Sequence, residues 1–272
     1  MKRLPRPVWL LLMLLMASFS GSLPGHVQDL PEVRVASDAL MLETAFIKAF
    51  NDPEEFKATG IFQLMGYNAA EIAQIGKITP RPASISVEFD ADPLPGTFRS
   101  LRVKCFRVLY YNLTIETVQF DFPECSIDVE ELAAGRLRFK SGGQISLITD
   151  VSADDILKVF AFYAKSRSLS GMKMKLAKNS AQLHGRVKKG FVTAEFKLNG
   201  NTRLIDAKTV MFNCERLFLN GMSMPRNVIA TIFRQINPVF DARKTWLNLN
   251  IASITIKPGF VQTHATIDRK KG

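Results

Sequence analysis

The stretch Leu217–Pro225, LFLNGMSMP, ends a run of alternating residues on Asn220-Gly221 and opens a helix on Pro225. Asn-Gly is turn chemistry, and Pro is tolerated where a helix begins because its missing N–H has no partner there in any case. Before the junction, Val210, Phe212, Cys214 and Phe218 recur at the period of a strand. After it, Val228, Ile229, Ile232, Phe233 and Ile236 make one apolar stripe that Pro238 stops. The stretch is a strand-to-helix junction.

Working outward, the same texture fills the chain from about residue 100. Leu101, Val103 and Cys105 alternate with Arg102, Lys104 and Phe106, and Met172, Met174 and Leu176 alternate with Lys173, Lys175 and Ala177. Val192, Ala194, Phe196 and Leu198 run to Asn199-Gly200-Asn201; Leu247, Leu249 and Ile251 share a face before the apolar phase moves to Ile254 and Ile256, as a bulge would cause. Pro258-Gly259 is type II turn chemistry, after which Val261, Ala265 and Ile267 resume. A second helix is announced by Ser152-Ala-Asp-Asp155, with Ile156, Val159, Phe160 and Tyr163 at i, i+3, i+4 and i+7. The expected fold class is α+β, a curved antiparallel sheet wrapped around amphipathic helices.

Upstream, residues 37 to 77 predict two or three short helices: Ser37 opens one, Asp52-Pro53-Glu54-Glu55 a second, and Asn68-Ala-Ala-Glu71 a third of capping-box type. The Pro-rich TPRPAS at 79–84 and DADPLPG at 90–96 flank a short alternating piece, Ile85, Val87, Phe89, and place a boundary near residue 96. The expected division is 1–24 a signal peptide, 25–95 a helical extension with a Pro-rich linker, and 96–272 the main domain.

The first residues, with Lys2, Arg3 and Arg6 ahead of an apolar run from Val8 to about Ala17 and then small residues, have the layout of a secretory signal. The run falls short of the roughly 20 residues a membrane-spanning helix needs. Cleavage and retention as an uncleaved anchor both stay open, and the expectation is an exported, periplasmic or envelope-associated protein. Three cysteines leave at least one thiol unpaired; buried apolar thiols and a Cys105–Cys125 bridge are the two readings, and no zinc spacing exists.

Lys+Arg exceed Asp+Glu by 36 to 25, a net charge of +11, without long basic blocks. The balance suits an anionic surface, lipid or nucleic acid. In the segment 172–189 the basic residues Lys173, Lys175, Lys178, Lys188 and Lys189 stand without the interleaved aromatics a nucleic-acid module would use, so the expected partner is an anionic membrane surface, contacted peripherally, and not nucleic acid. No enzyme is expected: His26, His184 and His264 are isolated, Asp154 and Asp155 are explained by capping, no nucleophile elbow or phosphate loop is present, and no metal or cofactor is implied.

The apolar surface is soft, with 20 Phe and 10 Met against 2 Trp and 4 Tyr, which suits an irregular guest such as an acyl chain. GQISLITDVSADDILKVF at 143–160, LFLNGMSMP at 217–225 with NVIATIFRQINPVFD after it, and LNLNIASITIKPGFVQTHAT at 247–266 together resemble the LmeA-like phospholipid-binding family, formerly a domain of unknown function, of tubular lipid-binding (TULIP-like) architecture. The resemblance covers about residues 98 to 268 and leaves 25–95 without a counterpart. It implies an envelope protein that holds phospholipid-like acyl chains in an apolar groove, for lipid transport or envelope maintenance. Ile156, Phe160, Val228, Ile229, Ile232, Phe233 and Ile236 are the candidate lining. The rival is an envelope scaffold with a solid core that binds another protein and no lipid.

Overall fold

A computed structural model describes residues 32–74, 79–110, 113–164, 169–189, 191–234, 237–244 and 249–268. The expected signal peptide at 1–24 lies outside the described residues. The fold is mixed α+β and mostly antiparallel, and one sheet curls strongly into a half-barrel. Among the described residues no helix is long and apolar enough to cross a membrane. The chain separates into two compact units: residues 32–110, 116–148 and 266–268 in one, 113–115 and 149–265 in the other.

In the first unit, helix α1 (Glu32–Asn51) starts five residues ahead of Ser37, so Ser37 is interior and not the cap. Asp52 then caps α2 (Pro53–Ala58), its carboxylate accepting from the Glu54 and Glu55 N–H groups at 2.8 and 3.3 Å. After α3 (Ile61–Leu64), α4 (Ala69–Gln74) carries the expected capping box: the Asn68 N–H donates to Glu71 Oε2 and the Glu71 N–H to Asn68 Oδ1, at 3.1 and 3.0 Å. Strands β1 (Ser84–Ala91) and β2 (Thr97–Tyr110) pair antiparallel with Val87 opposite Val103. The boundary expected near residue 96 is therefore the turn of a hairpin, closed by Asp92 N–H to Thr97 O at 2.9 Å. Proline-rich text marks tight turns as readily as linkers, which is why the two were confusable. Among the described residues of 32–95, α1 and β1 are joined by the Val87 N–H donating to Glu43 Oε1 at 3.1 Å.

Next to β2 lies β3 (Leu113–Ile127), and β4 (Phe139–Ser141) pairs with β3 after the short helix α5 (Val129–Ala133). Phenylalanine fills this core. Phe122 stacks on Phe139 with ring centroids 4.8 Å apart, while Phe46 meets Phe50 edge-on at 5.5 Å and Phe50 meets Phe56 at 5.3 Å. Such pairs contribute about 0.5–1.5 kcal/mol each beyond area burial. Gly60, at φ +86°, lets the turn before α3 approach β4: a Cβ there would stand 2.7 Å from the Phe139 carbonyl oxygen. Cys105 and Cys125 are buried free thiols, so the bridge between them is not formed, and burial pushes both up to about 12.

The second unit contains α6 (Ala153–Ala164), which follows β5 (Ser146–Ser152). Ser152 Oγ accepts from the Asp155 N–H at 3.1 Å and donates to Asp155 Oδ2 at 2.7 Å, and Lys158 pairs with the same carboxylate at 2.7 Å. A meander of β6 (Leu169–Ala177), β7 (Ser180–Lys189), β8 (Val192–Asp206) and β9 (Thr209–Leu219) follows. Short strands β10 (Met222–Ser223) and β11 (Phe240–Asp241) pair with opposite ends of β9, and α7 (Arg226–Arg234) lies between them in sequence. The unit closes with β12 (Leu249–Lys257) and β13 (Phe260–Ile267).

The β8–β9 ladder departs from strict alternation: Asn199 faces Arg216 and Gly200 faces Cys214, so Glu215 is an extra residue. This bulge reverses the phase of β9. Leu217, not Phe218, joins Phe212 and Cys214 on the packed face, a correction to the alternation read from sequence. Pro225 likewise precedes the helix, its carbonyl accepting the Ile229 N–H at 3.1 Å, and is not its first residue.

Candidate functional site

Helix α7 reaches β9 through Met224, whose N–H donates to Leu217 O at 2.8 Å, and packs Ile229 and Phe233 on the sheet. Leu217, Ile229 and Phe233 form a buried cluster ringed by Phe196, Leu198, Phe212, Cys214 and Met224. The Phe233 ring stacks on Phe212, centroids 5.6 Å apart and planes 28° apart. Phe212 in turn lies against Gly200, where a Cβ would meet the ring at 2.6 Å, so the absent side chain makes room for it.

Beyond the helix, Asn237 binds the edge of β9. Its Oδ1 accepts the Phe212 N–H at 2.9 Å and its Nδ2 donates to the Phe212 carbonyl at 2.9 Å. One side-chain amide thus supplies both bonds that a neighbouring strand would make to Phe212.

Between α7 and β9 runs an open groove of about 790 Å³. Its apolar lining is Ile205, Met211, Phe212, Ile229, Ala230 and Phe233, with the Cys214 thiol among them. Arg203, Arg226 and Arg234 supply positive charge, Glu215 the acid, and Asn213 and Asn237 the amides. A second recess of about 360 Å³, rich in Asn179, Asn201 and Thr202, shares Arg203 and Asn213 with the groove. Burial pushes the Cys214 thiol up to about 11, and the thiol donates to the Arg216 carbonyl at 3.5 Å.

The stripe read from sequence divides here. Ile229 and Phe233 are 7% and 9% exposed and line the groove, whereas Val228 and Ile232, at 37% and 36%, are not among its lining. Ile236 lies outside the described residues. Ile156 is buried on α6 and does not line the groove. Phe160 is on the same helix, and its side chain, like that of Lys189, lies outside the described residues. Lys173, Lys175, Lys178 and Lys188 are exposed on β6, β7 and the turn between them.

The groove face of α7 is Arg226, Ile229, Ala230, Phe233 and Arg234, followed by Asn237. These stand at i, i+3, i+4, i+7, i+8 and i+11, a regular helical spacing that a search for apolar residues alone passes over because it includes two arginines and an alanine. Among the described residues no group of three or more His, Cys, Asp or Glu is placed to hold a metal. No protein-family model, no curated protein and no solved structure matches the chain.

Proposed function

We propose that the second unit binds a phospholipid-like amphiphile by non-covalent capture, an acyl chain lying in the α7–β9 groove and an anionic head turned toward Arg203, Arg226 and Arg234. The observation that carries this reading is the groove itself: about 790 Å³, within the range of small-molecule sites, with six apolar residues in its lining and three arginines against one acid. The Asn-rich recess that shares Arg203 and Asn213 offers neutral hydrogen-bonding groups next to the charge, as the polar part of an amphiphile would use. The curled antiparallel sheet agrees with a TULIP-like lipid binder of the LmeA-like kind, and the secretory layout of the first residues agrees with an exported envelope protein acting in lipid transport or maintenance.

The full chain, purified without detergent and offered phosphatidylglycerol vesicles, should carry a discrete lipid mass in native mass spectrometry that organic extraction removes. Cys214 lines the groove while Cys105 and Cys125 are buried, so a thiol reagent at pH 9 should modify Cys214 first, and lipid should slow that reaction several-fold. A folded protein with no added mass and no protection of Cys214 would remove the proposal. A stable heteromeric complex formed without lipid would instead favour a scaffold, for which Val228, Ile232 and Met222 are among the exposed apolar side chains.

A further inference from the structure

The β7–β8 hairpin carries an aromatic side chain where solvent contact is complete: Phe191, in the turn, is fully exposed. The ladder of β8 with β9 begins only at Phe196, and Asn220 closes it by exchanging hydrogen bonds with Glu195, 2.8 Å each way. Residues 192–195 therefore extend past β9, a reach of about 13 Å at strand rise.

Charge surrounds this tip. Arg186 stands opposite Glu195, and Lys188 opposite Thr193, one rung from the turn. Farther along the same exposed face, Lys173, His184 and Lys197 form a row across three strands. Across β6, β7 and residues 193–199 of β8, Glu195 is the one acid among the described residues, and it is bound to Arg186 at 3.0 Å. Like charges aligned across strands destabilise a sheet. A protruding aromatic flanked by lysines matches the chemistry of an anionic bilayer surface, where the ring enters the interface and the ammonium groups meet phosphate.

We infer that the β7–β8 hairpin is a membrane anchor: Phe191 inserts at the boundary of headgroups and acyl chains of an anionic bilayer, and Lys173, Lys188 and Lys197 hold the adjoining strand face against its surface. The anchor is independent of what the α7–β9 groove holds.

The test reads the position of residue 191 itself, so that contacts made by other parts of the chain do not obscure it. Phe191→Trp in the full chain is mixed with vesicles of phosphatidylcholine and phosphatidylglycerol, two to one, whose acyl chains carry bromine. The expected result is a blue-shifted emission and bromine quenching above that of the wild-type chain, whose tryptophans are Trp9 and Trp246. The extra quenching should vanish on phosphatidylcholine alone, and Lys173→Glu with Lys188→Glu should shift the lipid concentration for half-quenching by tenfold or more, since each basic residue near an anionic surface contributes about a fivefold factor. Unaltered thermal unfolding of the variants, expected because all three sites are exposed, certifies the fold. No quenching at position 191, equal quenching on neutral vesicles, or indifference to charge reversal would each overturn the inference. Lipid capture in the groove, read by native mass, stands or falls separately.

Discussion

Placing a carboxylate at position 230 separates the groove from the core. Phe233→Glu removes a ring stacked at 5.6 Å on Phe212 and costs about 3–5 kcal/mol in packing, so lost binding there would say little. Ala230 is exposed yet lines the groove. On the helix, Ala→Glu costs under about 0.7 kcal/mol in propensity, and a pair with Arg234 at i+4 returns roughly 0.2–0.5 kcal/mol. The net stability change should lie within about 0.5 kcal/mol of zero. A bound acyl chain, by contrast, must strip water from the new carboxylate, at about 1–3 kcal/mol, or some five- to hundredfold in affinity. The assay pairs urea unfolding with lipid uptake by native mass spectrometry, and Ala230→Gln supplies the same shape without charge. Ala230→Glu should keep its unfolding midpoint and take up at least fivefold less lipid than Ala230→Gln. A folded Ala230→Glu that binds lipid as well as the parent would refute the groove as the site.

Two further outcomes are expected. Asn237→Ala should destabilise the chain by about 1–3 kcal/mol, because it strands the Phe212 N–H and carbonyl together, whereas Asn237→Asp, which keeps only the acceptor, should fall between parent and alanine variant in urea unfolding. Cys105 and Cys125 are held near 12 by burial against an ordinary value near 9, so the folded state retains their protons longer than the unfolded one. Their stabilising contribution is complete below pH 9 and is lost as pH rises toward 12, at up to about 1.4 kcal/mol per pH unit for each thiol. The pH dependence of unfolding in that window should flatten in Cys105→Ala and Cys125→Ala.

Local chemistry was legible wherever one residue's side chain answers its own backbone. Ser152 with Asp155, Asp52 ahead of Pro53, and Asn68 with Glu71 each cap the helix that their spacing announces. Strands β6, β8 and β9 were likewise visible as alternation. What escaped needed partners distant in sequence. The bulge at Glu215 is defined by β8, sixteen residues upstream at Asn199, and nothing in NCERLF itself reverses the phase. Proline-rich residues 90–96 signalled an interruption, but whether it joined two domains or two strands depended on Val87 finding Val103. The site was half legible: Ile229 and Phe233 follow from the apolar stripe, whereas the face the groove uses is rotated toward Arg226, Ala230 and Arg234 and is defined only once β9 is beside it. Phe191 left no periodic trace, since its meaning lies in being at a turn that extends beyond its neighbour.

The amide of Asn237 has a consequence for colloidal behaviour. A sheet margin with vacant donors and acceptors invites a second molecule to add a strand, and repeated addition is a route to fibres. At Phe212 both positions are already taken by a side chain that carries no strand behind it and so has no further edge to offer. Growth through this point ends after one residue, and Pro238, next to Asn237 in sequence, has no N–H to offer a further strand.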